Sequence, residues 1–414
     1  MQKSDYLDTS KLLHTAHIVK LFNAVEDYGG IIRFVGGAVR DTLAGLQDSG
    51  LDLATDLSPD ELVEACQNYG LKTTPIGLKV GTVGVVIDDQ ILRVSSLRKR
   101  VRADKKKMQY EYTDDWSADA AGRDLTINAV YADIAGNVFD YYNGISDLEK
   151  GIVRFIGNPE DRIQEDYLRI MRFFRFYALF GKTPMDKDSL AACIKYKDKL
   201  RTLSIECVRD EFFKLLEAPN AAKTLKVILD NDILDFFLPH SEHLEALQRL
   251  SDIVRDINYQ SNFLRRLFVL YQPNAGFAEK IAATLRLTKK QKEFFVRWAR
   301  IELPENIIIS ETERLKTVYR YGKQFCLDKL LLAVAIYDID APNLKNILQS
   351  IENAVVPIFP LKGRDLVNRG YTDSREIGKI LGIAEQKWID SNFKLTRGEL
   401  LESLDTIKKE GEKL

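Results

Sequence analysis

The spacing of hydrophobic residues changes part-way along the chain. Near the start, short β-branched runs are bounded by Gly or Asp, which is typical of strands. These runs are Ile31–Val35, Thr82–Ile87 and Ile91–Ser95. After Arg162 the apolar positions follow helical spacing, for example at Leu168, Met171, Phe174 and Leu179. We therefore predict a mixed α/β region over about the first 150 residues and an all-helical remainder.

Length and composition agree with a large helical part. At roughly 150 residues per domain, 414 residues correspond to two to four structural units. The chain has 24 glycines and 11 prolines, which is fewer than average and argues against collagen-like, disordered and loop-rich all-β proteins. Gly, Pro and Asn predict breaks between helices at four places. They are Gly181–Pro184, Tyr271–Gly276, Leu303–Asn306 and Pro357–Pro360.

Composition also bears on location and partners. No apolar stretch approaches the roughly 18 residues that cross a bilayer, so we expect no membrane partner. The first residues, MQKSDYLDTSKLL, hold two aspartates and no apolar segment, unlike a signal or transit peptide. The four cysteines form no CxxC pair, which favours a reducing compartment, and we predict a cytoplasmic location. Because the net charge is −1, contacts with nucleic acid must come from local basic patches.

A glycine pair follows the first predicted strand. Gly36 and Gly37 come directly after Ile31–Val35, and a helix is predicted to begin near Ala38. Glycines at such a turn let backbone N–H groups approach a phosphate, and a helix N-terminus favours negative charge. Arg40, one turn further on, would add a cation to the same anion site. The alternative is a tight strand-to-helix turn with a surface arginine.

Five motifs, taken in order, carry a family resemblance. They are GGAVRD (36–41), LDLATD (51–56), SSLR (95–98), GRDLTINA (122–129) and IQEDYLRIMRFFRF (163–176). Together they resemble the tRNA nucleotidyltransferase family, which comprises the CCA-adding enzymes of the bacterial and eukaryotic class and the related bacterial poly(A) polymerases. Similar stretches extend over 143–170 and 357–381, so the resemblance covers most of the chain.

The resemblance implies a fold class. It predicts an α+β protein in which a polymerase-β-like nucleotidyltransferase head is followed by an all-helical neck, body and tail. The predicted bounds are 1–150 for the head, 151–218 for the neck with its base-reading motif, 219–356 for the body and 357–414 for an RNA-binding tail. Body and tail would bind the acceptor–TΨC limb of tRNA by shape and phosphate contacts, as is usual for duplex RNA.

The resemblance also implies an activity. Members of the family add C and A nucleotides from CTP and ATP to tRNA 3′ ends, and two Mg²⁺ ions clamp the attacking and leaving oxygens. Mg²⁺ prefers oxygen ligands, which the family supplies from an Asp-x-Asp pair and an acidic residue on a later strand. Asp52 occupies the second aspartate position and is the predicted catalytic residue and metal ligand. Gly50 and Arg93 stand at the other two positions, so two of the three expected ligands are replaced.

Arg93 is more adverse than a missing ligand. A guanidinium only donates and stays charged, and unit charges about 4 Å apart interact by about 4 kcal/mol at an effective dielectric constant near 20. We expect this cation to impair ordinary two-metal catalysis. Asp48 lies too far along the strand to substitute, and Asp88 and Asp89 are expected in a solvated turn. The alternatives are a register shifted by one residue or an Arg93 side chain that points outwards.

Positions that match the family's nucleotide-binding residues are better preserved. They are Gly36, Gly37, Arg40, Arg123, Asp124, Asn128, Asp166, Arg169, Arg172 and Arg175. The glycines, Arg40 and Arg123 would meet the triphosphate. Asp124 and Asn128 would order the site. Gly122 replaces the first arginine of the family's usual pair.

A neck helix is predicted to carry the base-reading pair. In the family an Asp and an Arg present hydrogen-bonding edges to the incoming base, and the matching residues are Asp166 and Arg169. A carboxylate accepts from an exocyclic amine and an arginine donates to ring or carbonyl acceptors. Residues three apart share a helix face, and Arg172 and Arg175 continue this spacing towards phosphates. The alternative is a salt-bridged surface, because Glu165 and Arg169 are spaced for an ion pair.

Three functions remain open from the sequence. The first is an active CCA-adding nucleotidyltransferase with an unusual metal site. The second is a catalytically degenerate relative that binds tRNA and nucleotide. The third is a polymerase that adds poly(A) or A alone, which shares these motifs. A basic run over Arg98–Lys107 would add phosphate contacts in each case or form a solvated loop.

Overall fold

The computed structural model describes residues 7–9, 16–46, 50–77, 81–88, 90–101, 109–303, 307–308 and 310–404. The chain divides into two units, Met1–His240 and Ser241–Leu414. The boundary between them lies inside the segment predicted as the body. This division does not test the predicted limits of head, neck, body and tail, which remain predictions.

A mixed sheet is the centre of the first unit. The strands of this unit are β1 (Ile32–Val35), β2 (Asp52–Thr55), β3 (Lys72–Gly77), β4 (Thr82–Ile87), β5 (Gln90–Ser96), β6 (Arg98–Val101), β7 (Gln109–Tyr112), β8 (Val130–Ala132) and β9 (Val138–Asp140). Over the described residues, seven strands form one sheet in the order β3-β4-β5-β2-β1-β8-β9, and β6 pairs with β7. The β2–β5 pair is parallel and the others are antiparallel. The three predicted strands are confirmed as β1, β4 and β5.

Helices first alternate with these strands and then continue alone. The helices of the first unit are α1 (Ala16–Asp27), α2 (Gly37–Leu43), α3 (Pro59–Asn68), α4 (Trp116–Gly122), α5 (Gly144–Lys150), α6 (Pro159–Glu165), α7 (Arg169–Phe180), α8 (Lys187–Tyr196), α9 (Ile205–Glu217) and α10 (Ala221–Asp230). Short 3₁₀ turns lie at Thr126–Asn128 and Lys197–Thr202. Since no described strand follows β9, the predicted change to all-helical structure is confirmed.

The two faces of the sheet differ in what covers them. On the first face, Phe22 of α1 packs on Phe34 of β1 with ring centroids 5.0 Å apart, and Leu53 and Val94 belong to the same buried core. Successive residues of a strand point to opposite faces. The polar residues that alternate with this core on β2 and β5 therefore project from the other face, which we call the second face.

The second unit is helical throughout its described residues. Its helices are α11 (Leu244–Asp256), α12 (Phe263–Tyr271), α13 (Ala275–Thr284), α14 (Lys289–Arg300), α15 (Glu311–Tyr321), α16 (Lys323–Tyr337), α17 (Leu344–Asn353), α18 (Gly363–Val367), α19 (Ser374–Asp390) and α20 (Arg397–Glu402). The breaks predicted at Tyr271–Gly276 and Pro357–Pro360 coincide with gaps between helices. Trp388 of α19 is buried and lies 5.6 Å from the ring of Tyr319, so these aromatics hold the C-terminal helices together.

The structure also bears on the expectations about membrane-spanning segments and about the cysteines. No described helix is both long enough and apolar enough to cross a membrane. Three cysteines, Cys66, Cys193 and Cys326, are buried, Cys207 is exposed, and all four are free thiols.

Candidate functional site

A polar cavity of about 500 Å³ lies in the first unit, on the second face of the sheet. It is lined by the β1–α2 turn, by β2 and β5, and by residues from α4 to α7. The lining includes every predicted site residue: Asp52, Gly36, Gly37, Arg40, Arg123, Asp124, Asn128, Asp166, Arg169, Arg172 and Arg175. Arg93 lines it too. The fold thus brings the glycine turn and the Asp166–Arg169 segment to one cavity, while the roles of these residues stay predictions.

The glycine turn forms one wall of the cavity. Gly36 has a φ angle of +65°, a left-handed conformation that residues with a Cβ rarely adopt. The helix α2 begins at Gly37, one residue before the predicted start. A Cβ built on Gly36 would lie 3.6 Å from Nη1 of Arg123. The turn is therefore a direct neighbour of this guanidinium.

A chain of buried polar groups joins α2 to α7. Arg40 donates to both carboxylate oxygens of Asp41 at 2.7 and 2.9 Å and to the side-chain oxygen of Asn128 at 2.5 Å. Asn128 donates to Asp124 at 3.0 Å, and Asp124 accepts from Nε of Arg172 at 2.6 Å. Arg40 is only 6% exposed, so it is not the surface arginine of the alternative interpretation. This network fixes the cavity-facing groups of three chain segments relative to one another.

The charge of Asp124 is set by its partners. Burial on its own would raise the pKa of this carboxyl, but the Arg172 guanidinium and the hydrogen bonds from Asn128 and Arg172 hold the pKa at about 2. Asp124 is therefore ionised at neutral pH. Its carboxylate holds the Arg172 side chain of α7 close to Asn128, which lies on the short 3₁₀ turn.

Arg123 is held by a second network. It donates from Nε to the Tyr131 hydroxyl at 3.0 Å and from Nη2 to Asp119 at 3.1 Å. The Tyr131 hydroxyl donates to the same carboxylate at 2.7 Å, and burial raises its pKa, so it remains a donor. Asp119 lines the cavity but was not predicted. The sequence signal for Asp119 was its spacing of four residues from Arg123, because oppositely charged residues at this spacing often form an ion pair.

Guanidinium groups cluster around Phe176 of α7. The Cζ atoms of Arg40, Arg172 and Arg175 lie 4.7, 5.8 and 4.1 Å from the centre of its ring. Such stacking is favourable for each cation. Phe176 was not predicted as a site residue, because nothing in the sequence separates it from the other aromatic residues of the same helix.

The helix predicted to carry Asp166 and Arg169 is interrupted between them. The helix α6 ends at Glu165, Asp166 is extended, and α7 begins at Arg169, so the prediction of one shared helix face was wrong. The carboxylate of Asp166 accepts the backbone N–H of Leu168 at 2.9 Å. Aspartate side chains that bond nearby backbone in this way compete with helix continuation.

Arg169 is anchored by groups behind the cavity wall. Its Nη1 donates to Glu165 at 2.7 Å and to the carbonyl of Arg162 at 3.1 Å. The ion pair foreseen in the alternative interpretation therefore forms, but its two side chains are 13% and 10% exposed. It is a mostly buried pair that positions Arg169 at the cavity, and Arg169 remains one of the lining residues.

The pairing of β2 with β5 decides what stands beside Asp52. In the parallel register Asp52 lies opposite Arg93, and Nε of Arg93 is 3.8 Å from Oδ1 of Asp52. Arg93 therefore points into the cavity beside the carboxylate rather than away from it.

The remaining donors do not complete a magnesium site. Among the described residues, no group of three or more His, Cys, Asp or Glu side chains could hold a metal ion. Apart from its chain neighbours, no described residue comes within 4 Å of a Cβ built on Gly50, and the glycine offers no side-chain ligand. Asp88 is exposed in the β4–β5 turn, and Asp48 and Asp89 lie outside the described residues. Of the three ligand positions that the resemblance implies, only Asp52 holds a carboxylate, and a guanidinium lies next to it. These residues do not fit the two-metal site that the resemblance implies.

The basic run after β5 is described only in part. Arg98 of β6 lies with its Cζ 4.7 Å from the Tyr110 ring of β7, and both residues line the cavity. Residues 102–108 lie outside the described part of the chain, so the predicted phosphate contacts of this run stay a prediction.

Comparison with known proteins identifies the family. Residues 32–154 match the family model described as the Poly A polymerase head domain. Residues 184–244 match the model described as the probable RNA and SrmB-binding site of polymerase A. The mitochondrial CCA tRNA nucleotidyltransferase 1 of Mus musculus is 30% identical over 379 residues, which cover 89% of this chain and 85% of that protein. The chain belongs to the CCA-adding tRNA nucleotidyltransferase family.

Solved structures show the fold of the family. The CCA-adding enzyme of Bacillus stearothermophilus in complex with CTP is similar with a TM-score of 0.75 and 20% identity, over 96% of this chain and 98% of that one. The CCA-adding enzyme of Thermotoga maritima complexed with tRNA gives a TM-score of 0.65 and 18% identity, over 97% and 98% of the two chains. The predicted nucleotidyltransferase head with a helical remainder is thereby confirmed.

Proposed function

We propose that this family member holds CTP or ATP against the 3′ end of a tRNA in the cavity of the first unit, and that its metal-dependent transfer step is impaired. It is then a tRNA- and nucleotide-binding protein with degenerate catalysis. Relatives of the same fold in complex with CTP and with tRNA support this choice of partners. The cytoplasmic location stays a prediction, as does any weak binding of Mg²⁺ at Asp52.

The lining residues divide between the two ends of the nucleotide. The Gly36–Gly37 turn, Arg40 and Arg123 form the region proposed for the triphosphate, because close backbone and guanidinium groups are suited to phosphate oxygens. Arg172 adds a further cation, and it is linked to Arg40 through Asp124 and Asn128. Asp166 and Arg169 would offer an acceptor and donors to the base edge, as the family resemblance implies.

The observation that carries the proposal is the placement of Arg93 beside Asp52. Any cation on this carboxylate must share it with a guanidinium 3.8 Å away. A cation held by this carboxylate would therefore lie close to the guanidinium, and unit charges about 4 Å apart interact by about 4 kcal/mol at an effective dielectric constant near 20. Both side chains are more than half exposed, so water screens part of it. Each 1.36 kcal/mol of repulsion that persists in the transition state slows transfer about tenfold, and we expect a slowing of about a hundredfold.

The test separates binding from transfer in the same preparation. Purified protein is mixed with tRNA lacking its 3′ CCA and with labelled CTP or ATP, in Mg²⁺ or Mn²⁺. We expect measurable binding of tRNA and CTP with little extension of the tRNA. Robust extension that disappears in Asp52→Ala would contradict the impaired transfer step, and absence of nucleotide binding would contradict the proposed site.

The second candidate is an active enzyme, favoured by the intact arginine networks around the cavity. In the same assay it predicts extension that depends on Asp52. The match to a poly(A) polymerase head is also compatible with a third function, the addition of A alone. Labelled ATP incorporated without CTP, and the length of the product, distinguish that activity from CCA addition.

A further inference from the structure

Arg93 differs from the other arginines of the cavity in how little it is engaged. Its guanidinium lies 3.8 Å from Asp52, which is too long for a hydrogen bond. Within the described residues, that ion pair is its one polar contact. By contrast, Arg40 and Arg172 form hydrogen bonds of 2.5 to 2.9 Å. The side chain of Arg93 is also 63% exposed, so its N–H groups are available to a ligand.

The lining as a whole favours an anion. Seven arginines and four aspartates line the cavity. Nε of Arg175 is buried there without a hydrogen-bond partner. Burial, together with the neighbouring Arg172 and Arg40, lowers the pKa of Arg175, although Glu211 acts in the opposite direction. An anion in the cavity would relieve this crowding of positive charge.

We propose that Arg93 binds the triphosphate directly, and that the cavity takes the nucleoside triphosphate as its metal-free anion. This inference rests on the proposed nucleotide binding and adds the chemical form of the ligand. A guanidinium offers parallel N–H donors that match two phosphate oxygens. Arg93 lies beside Asp52, where the family resemblance implies a bound metal ion. The guanidinium supplies positive charge at this place instead of the metal.

Metal then acts against binding. A triphosphate bound to Mg²⁺ carries two fewer negative charges, and it brings a cation towards a site that already holds Arg93. Both effects weaken its attraction to the lining arginines. Removal of metal should therefore preserve or strengthen the binding of ATP and CTP.

The experiment measures dissociation constants by isothermal titration calorimetry, with ATP and with CTP, in EDTA and in excess MgCl₂. We expect binding in EDTA to be at least as tight as in MgCl₂. Arg93→Gln should weaken binding in EDTA about tenfold, because a charge-assisted hydrogen bond is lost, and should weaken binding in MgCl₂ by a smaller factor. Arg93→Lys, which keeps the charge without the paired donors, should fall between the two proteins.

A matched control is Arg201→Gln. Arg201 lies in the same unit, is 50% exposed and pairs with Asp235 at 3.1 Å, but it does not line the cavity. Its substitution should leave both constants unchanged. Circular dichroism of all variants checks that the fold is retained.

The two proposals fail in different ways. Binding that requires Mg²⁺, or that is the same in Arg93→Gln and the wild type, overturns the metal-free inference while nucleotide binding stands. Absence of binding in both conditions overturns the proposed function and this inference with it.

Discussion

The substitution Asp124→Asn tests the polar network that joins the walls of the cavity. It keeps the size of the side chain and removes the charge that faces Arg172 at 2.6 Å. Asp124 is buried at 6% exposure, so the lost charge is not replaced by water at the same point. We expect the first unit to lose stability and CTP to bind less tightly.

The size of the expected loss in stability follows from the pKa of the Asp124 carboxyl. A pKa of about 2 in the folded protein, against about 3.9 in an unfolded chain, corresponds to about 2–3 kcal/mol of stability at pH 7. Because the folded pKa is the lower one, this contribution is complete above about pH 4 and is lost as the pH falls towards 2. The Arg172 side chain is 36% exposed, so water can solvate it once its partner is neutral. We therefore expect a loss of about 2–3 kcal/mol, at or below the lower end of the range of about 3–5 kcal/mol for broken buried pairs.

The assay must report on the first unit alone. Trp116 lies in that unit, whereas Trp298 and Trp388 lie in the second, so a background with Phe at the latter two positions makes fluorescence specific. Urea unfolding followed by Trp116 fluorescence at pH 7, 5 and 3 gives the free energy of unfolding of wild type and variant. The control is Asp235→Asn, an exposed partner of Arg201, which should cost less than about 1 kcal/mol.

The pH dependence of the cost of Asp124→Asn decides whether the charge of Asp124 stabilises the fold. If Asp124→Asn costs nothing at pH 7, or if its cost is the same at pH 3 as at pH 7, the charge of Asp124 does not stabilise the network. We expect the difference in free energy of unfolding between wild type and variant to narrow below pH 4.

Two further substitutions probe one position in each unit. Gly36→Ala forces a Cβ onto a backbone at φ +65°, and we expect a loss of about 1–2 kcal/mol in stability with weaker CTP binding in calorimetry; unchanged binding would show that the turn is not part of the site. Trp388→Ala empties the centre of an aromatic cluster that includes Phe393 at 4.9 Å, and we expect it to cost about 3–5 kcal/mol. Hydrogen exchange should increase within Ser241–Leu414, and a parallel loss of CTP affinity would contradict the assignment of the nucleotide site to the first unit.

Local sequence patterns were sufficient for several parts of the fold. The succession of strand, glycine turn and helix around Gly36 follows from β-branched residues, a glycine pair and the onset of helical spacing, and the structure has these three parts in that order. The change to helices after β9 was visible in the same way. These features depend on residues close in sequence, which is why spacing alone predicts them.

Other parts of the site depend on contacts that spacing does not encode. At the interruption between α6 and α7 the Asp166 carboxylate accepts a backbone N–H. Such a bond competes with helix continuation, and an apolar pattern does not show it. The Asp119–Arg123–Tyr131 network and the three guanidinium groups around Phe176 require the packing of distant segments. The pairing of Asp52 with Arg93 was expected from the family resemblance, not from the residues themselves.

The central claim is that this cavity binds a nucleotide but lacks the carboxylates for transfer, and restoring them tests it most directly. The double substitution Gly50→Asp and Arg93→Glu introduces both missing groups, and among the described residues only the chain neighbours of Gly50 lie within 4 Å of a Cβ at that position. The measurement is the single-turnover rate of CMP incorporation into tRNA lacking CCA, at saturating CTP and Mg²⁺. The account predicts a rate about a hundredfold above the wild type. A double variant no faster than the wild-type protein would contradict it.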